Sequence, residues 1–98
     1  MSTDEQPVFE VRLRSKRVQR ELDALQEVDC ERVLVKLRAL ATAARPRGCE
    51  KLYDAIYRLR VGDFRIIYLI DGENKRIEVG GIRRRTERTY RGIEELFH

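Results

Sequence analysis

At 98 residues, with 42% apolar side chains, the chain is long enough for one hydrophobic core and too short for two, so residues 1–98 are expected to form a single domain. Charged residues make up 39% and the net charge is +4, with arginine well ahead of lysine; this balance admits phosphate-bearing partners without demanding them. No apolar run approaches the roughly 20 residues that span a bilayer, so no helical membrane span is expected.

Residues 1–7 are polar and acidic and lack the apolar stretch of a secretory leader, which predicts a flexible tail on a cytoplasmic protein. Residues 8–13 alternate, with Phe9, Val11 and Leu13 on one side and Glu10, Arg12 and Arg14 on the other, the pattern of a half-buried strand. Ser15 is placed to cap a helix in which Val18, Leu22 and Leu25 recur at helical spacing through Gln26, with Arg17 and Glu21 turned outward. Asp29 is the expected cap of a second helix, where Cys30, Val33, Leu34, Leu37, Leu40, Ala41 and Ala44 make a stripe wide enough to lie on a sheet. Pro46 and Gly48 then stop it, because proline removes a backbone donor and disfavours helical geometry just before it.

Residues 49–54 read as a connection, with Cys49 a bystander and Cys30 a reduced core residue rather than disulfide partners. Residues 55–61 alternate, Gly62-Asp63 offers a two-residue turn, and residues 64–70 return as a strand apolar on both sides except at Arg65. Taken alone, Arg65 is equally suited to a cross-strand ion pair with Glu78. A further strand follows over residues 75–82, in which Gly80-Gly81 fits either a bulge with close backbone approach or a weak strand end. Thr86 can cap a final short helix carrying Tyr90, Ile93, Leu96 and Phe97 on one side. The one histidine, His98, is the last residue, so no metal site and no cofactor are expected.

The order β-α-α-β-β-β-α predicts an α+β fold: a largely antiparallel four-stranded sheet with two helices on one face and a short C-terminal helix. Period-two geometry sends Arg58, Arg60 and Arg65 to the uncovered face, and Arg83, Arg84, Arg85 and Arg88 follow in the chain. Metal-free RNA cleavage needs a 2′-hydroxyl stripped of its proton, charge stabilisation at phosphorus and a protonated leaving oxygen. Arginines suit the second task and Tyr90 can exchange a proton; an arginine is a poor base. Plainer readings stand beside this one: Tyr90 as a packing residue, and residues 83–85 as a solvated turn or a sequence-independent phosphate contact.

The segment RLRVGDFRIIY over residues 58–68, IRRRTERTY over 82–90 and PRGCEKL over 46–52 resemble the RelE-type toxins of the RelE/ParE superfamily. The resemblance spans about residues 8–91 and implies a toxin of a type II toxin-antitoxin system that cuts mRNA in the ribosomal decoding site, opposed by a cognate antitoxin. It assigns phosphate stabilisation to Arg65 and Arg84 and orientation of the scissile nucleotide to Tyr90; Arg58 matches one of two family lysines. Arg60, Arg83, Arg85 and Arg88 are the expected RNA contacts. The second family lysine aligns with Ile56, which transfers no proton, so the resemblance implies a weakened activity. Two rivals share the fold: a ParE-like inhibitor of DNA gyrase that cleaves nothing, and an inactive relative kept as a binding partner.

Overall fold

A computed structural model of the chain describes residues 8–84 and Phe97. Its elements run β1 (Glu10–Leu13), α1 (Lys16–Asp23), α2 (Glu27–Ala39), β2 (Cys49–Tyr53), β3 (Ile56–Val61), β4 (Phe64–Asp71) and β5 (Arg76–Arg84). The sheet has five strands in the order β1-β5-β4-β3-β2. Four of them form an antiparallel meander, while β1 joins the outer edge of β5 in parallel, Glu10 opposite Arg76 and Leu13 opposite Val79.

This corrects the expected four-stranded, largely antiparallel sheet to a mixed five-stranded one. The additional strand is β2, read in the sequence as a connection. Cys49, Glu50, Lys51, Leu52 and Tyr53 carry little apolar alternation because β2 is an edge strand with a bulge and a single neighbour, and charged side chains suit such an edge. Asp54, at φ 51°, makes the tight turn into β3, a left-handed conformation that aspartate tolerates better than most side chains. The parallel pairing of β1 was not legible because hairpin signals specify neighbours joined by turns and β1 has none.

Both helices end earlier than expected, and the second also begins earlier. Ser15 does occupy the N-cap of α1 in extended backbone, but its hydroxyl makes no cap bond; its carbonyl accepts from the Val18 and Gln19 amides at 3.1 and 3.3 Å. The helix ends at Asp23 instead of Gln26. Gln26, not Asp29, precedes α2, which leaves Asp29 with Glu27 in the first turn, where negative charge suits the helix dipole. The second helix closes at Ala39, and residues 40–44 continue as turns.

Val18 and Leu22 of α1 and Val33 and Leu37 of α2 meet Tyr57, Leu59, Val61, Phe64, Ile66, Tyr68, Ile70, Ile77, Val79 and Ile82 of the sheet. Each large aliphatic side chain removed from water there stabilises the fold by roughly 1.5–3 kcal/mol. The phenol of Tyr68, fully buried, donates to the Ala44 carbonyl at 2.9 Å and so ties the segment after α2 to the central strand. Burial, followed by the neighbouring Cys49 thiol, pushes that phenol well above its ordinary pKa and keeps it a donor. Tyr57 stacks on Tyr68 with centroids 5.9 Å apart, and the Arg45 guanidinium donates to the Tyr57 hydroxyl at 2.9 Å.

Candidate functional site

The face of the sheet turned away from the helices carries a transverse row of arginines. Arg60 of β3 stands opposite Arg65 of β4, and Arg65 stands opposite Arg83 of β5. Directly opposed residues project to the same side, so the three guanidinium stems share one face on adjacent strands. Like charges so placed repel, and a sheet tolerates such a row when anions neutralise it.

Arg83 owes its place to a bulge. Ile77 and Val79 face the helices; strict alternation would send Ile82 to the opposite side and Arg83 toward the core. The register slips by one residue beside Ile67 and Tyr68, whose partners are Gly81 and Val79, so Gly80 is left unopposed and the parity reverses. Ile82 thereby returns to the core and Arg83 to the arginine face. Glycine lets Phe97 approach the bulge closely, since a Cβ on Gly80 would lie 2.5 Å from the ring of Phe97. Of the two sequence readings of Gly80-Gly81, the bulge with close approach is the one found.

The anion that holds this end of the row is Glu21. Pairing between β1 and β5 stops where the Arg14 amide reaches the Val79 carbonyl at 2.9 Å, leaving the edge of β5 beyond it unpaired. There the Glu21 carboxylate accepts the Ile82 amide at 3.0 Å with Oε1, and Arg83 at 2.8 Å and Arg17 at 2.7 Å with Oε2. Arg17 also donates to the Gly80 carbonyl at 2.9 Å. The sequence offered only the i, i+4 spacing of Arg17 and Glu21, which reads as an ordinary solvated helix pair. Its reach to β5 spans 61 residues of chain and has no local signal.

The other expected site residues divide. Arg58 lies on the arginine face opposite Ile67, where its guanidinium pairs with Glu50 of β2. Arg84 stands opposite Phe64, on the face of the helices, with its guanidinium 5.1 Å above that ring. Arg65 and Arg84, which were expected to converge, therefore lie on opposite sides of the sheet. Glu78, the alternative partner for Arg65, stands opposite Leu69 and pairs with Arg14 instead. Tyr90, Arg85, Arg88 and the final short helix lie outside the described residues.

Nor is the arginine face bare, as the sequence suggested. Ile56 and Ile67 are buried there with Leu52, Leu69 and Phe97 around them. Arg14 holds Phe97 in place by donating to its carbonyl at 2.7 Å, with the guanidinium 5.9 Å from the ring centroid. The face is thus half apolar and half cationic. Its arginines can stabilise an anion, and Ile56, aligned by the resemblance with a family lysine, contributes packing.

Residues 13–89 match the family model described as the ParE toxin of the type II toxin-antitoxin system parDE. The chain belongs to this toxin family, within the RelE/ParE superfamily. The toxin also shares its fold with solved structures. The archaeal RelE-RelB complex of Pyrococcus horikoshii OT3 contains a chain 26% identical to it, with a TM-score of 0.75, over 83% of the toxin and 99% of that chain. The RelBE2 toxin-antitoxin complex of Mycobacterium tuberculosis aligns at 20% identity and a TM-score of 0.71, over 87% of the toxin and 100% of that chain. An E. coli RelE toxin with two arginines replaced by alanine, in the free state, aligns at 15% identity and a TM-score of 0.69, over 81% and 85%. No curated protein sequence matches the toxin.

Proposed function

We propose that this toxin is a metal-independent endoribonuclease that cuts mRNA in the ribosomal decoding site and so stops translation. The observation that carries this reading is the row Arg60–Arg65–Arg83, three guanidinium groups on one face across three adjacent strands. A bent phosphodiester laid along the row meets Arg65 at its centre, with Arg60 and Arg83 to either side. Arginine forks match phosphate oxygens, and a preorganised donor of this kind contributes on the order of 10²- to 10³-fold in rate. Arg83 takes the second place beside Arg65 that the sequence resemblance gave to Arg84. Arg58, held by Glu50, borders the site, and Tyr90 supplies the phenol that orients the nucleotide and exchanges a proton. Arg85 and Arg88 extend the backbone contacts. The reading requires the toxin to act in the cytoplasm, where a cognate antitoxin restrains it; the archaeal and mycobacterial relatives are described in complexes of that kind.

One observation favours a second reading. Ile56, which the resemblance aligns with a family lysine, is buried in apolar company, and the matching family model is named for ParE. A toxin that binds DNA gyrase through this face and cleaves nothing needs no such group. Transcript ends mapping to the decoding site of programmed ribosomes support the nuclease; inhibition of supercoiling with intact transcripts supports the gyrase reading.

A further inference from the structure

The Glu21 carboxylate sits between two arginines. Its Oε2 accepts from Arg83 Nη1 at 2.8 Å and from Arg17 Nη1 at 2.7 Å, while Oε1 accepts the Ile82 amide at 3.0 Å. Capping the edge of β5 requires one acceptor, which a neutral amide side chain could supply. A carboxylate shared by two guanidinium groups does more than cap, and the surplus bears on Arg83.

Arg83 is gripped by one arm. Its Nη1 donates to Glu21 and, at 3.3 Å, to the Ile82 carbonyl, whereas its Nη2 has no hydrogen-bonding partner among the described residues. A guanidinium fixed through one nitrogen keeps its rotamer while the other nitrogen stays open to a phosphate oxygen, the condition of a preorganised donor. A carboxylate acting alone would weaken Arg83 toward anions, because its charge cancels the arginine's. Arg17 offsets that loss. Two guanidinium groups and one carboxylate sum to a single positive charge, and a second bond, from Arg17 Nη2 to the Gly80 carbonyl at 2.9 Å, anchors Arg17 beside the bulge. The side chains of Arg83 and Glu21 are 25% and 23% exposed, so water screens this cluster less than the outer pair of Arg12 and Glu10, at 51% and 57%.

We infer that Arg17 and Glu21 are positioning residues of the cleavage site, a role that rests on the nuclease reading of the arginine row. Glu21 fixes the rotamer of Arg83, and Arg17 restores the positive charge that Glu21 removes. Neither has to touch RNA. The two contributions have opposite electrostatic signs and therefore leave different kinetic marks. Without the Glu21 charge the row is more positive but Arg83 is loose, so RNA binds at least as well and is cut more slowly. Without the Arg17 charge Glu21 belongs to Arg83 alone, so RNA binds more weakly.

The test measures kcat and KM for mRNA cleavage on programmed ribosomes by wild-type toxin, E21Q, R17Q, R17K and V33A, each shown by circular dichroism to be folded at the assay temperature. E21Q keeps an acceptor for the Ile82 amide, although a weaker one. V33A opens a cavity in the core on the side of the sheet away from the row, and so reports what lost stability alone does. E21Q is expected to lower kcat about ten- to hundredfold without raising KM. R17Q is expected to raise KM severalfold, R17K to bring it back near wild type, and V33A to leave both constants unchanged. Wild-type kcat or a raised KM in E21Q overturns the inference, as does a loss of kcat matched by V33A. An R17K toxin no better than R17Q also overturns it. A wild-type toxin that leaves the transcript intact overturns the nuclease reading first, and the positioning role with it.

Discussion

Glu21 and Arg83, on α1 and β5, form an ion pair at 2.8 Å through which a helix on one side of the sheet holds an arginine of the other. The same carboxylate accepts the Ile82 amide at 3.0 Å, so one side chain both caps an unpaired strand edge and neutralises one end of a cationic row. Replacing Glu21 with glutamine keeps the shape and removes the charge. Charge-assisted bonds of this kind are worth about 1.5–3 kcal/mol. Glu21→Gln is expected to lower stability by roughly that amount in urea denaturation, with hydrogen exchange at the Ile82 amide accelerated more than at the Tyr68 amide.

The contact between Gly80 and Phe97 predicts non-additivity. A Cβ at position 80 would lie 2.5 Å from the aromatic ring, so Gly80→Ala expels Phe97 from the face and costs on the order of 1–3 kcal/mol. In a Phe97→Ala background the same substitution has nothing to displace and is expected to be close to neutral. A double-mutant cycle by chemical denaturation measures this coupling; equal costs in the two backgrounds would contradict it.

Tyr68 gives the toxin an alkaline limit. Its buried phenol has a pKa raised above that of the unfolded chain, about 10, so its stabilising contribution is complete below that pH. Above it the unfolded state loses the proton while the folded state retains it, and stability falls as pH rises toward the raised folded value. Tyr68→Phe is expected to cost about 1–3 kcal/mol at neutral pH, since the Ala44 carbonyl loses its buried donor. It should also flatten the decline of melting temperature above about pH 10.

Both helices, the β3–β4–β5 meander and the placement of Arg58, Arg60 and Arg65 on one face follow from periodicity, because their patterns are local and nearly uninterrupted. Strand β2 was missed because a polar edge strand lacks the alternation of a half-buried one. The side taken by Arg83 and Arg84 was unreadable for a sharper reason: one unopposed glycine reverses the parity of everything after it. The sequence resemblance selects Arg84 from the residues 83–85, whereas the register puts Arg83 beside Arg65 and Arg84 over Phe64. Glu21 was invisible as a site residue because its partners lie on a strand distant in the chain.

Arg58 and Glu50 join β3 to the edge strand, and the pair borders the arginine row. Because Glu50 is largely exposed, the ion pair contributes little to stability, about 0–1 kcal/mol. Glu50→Gln is therefore expected to leave thermal denaturation within a few degrees of wild type. By releasing Arg58 it should strengthen binding of a short fluorescent RNA severalfold at low salt, as read by anisotropy.

The most direct test of the account is the rate of mRNA cleavage on programmed ribosomes by wild-type toxin and by Arg65→Ala, Arg83→Ala and Arg84→Ala, each verified as folded. If the row is the site, Arg65→Ala and Arg83→Ala fall by about 10²- to 10³-fold and Arg84→Ala by much less. A wild-type toxin that leaves the transcript intact, or a loss at Arg84 with none at Arg65 and Arg83, would contradict it.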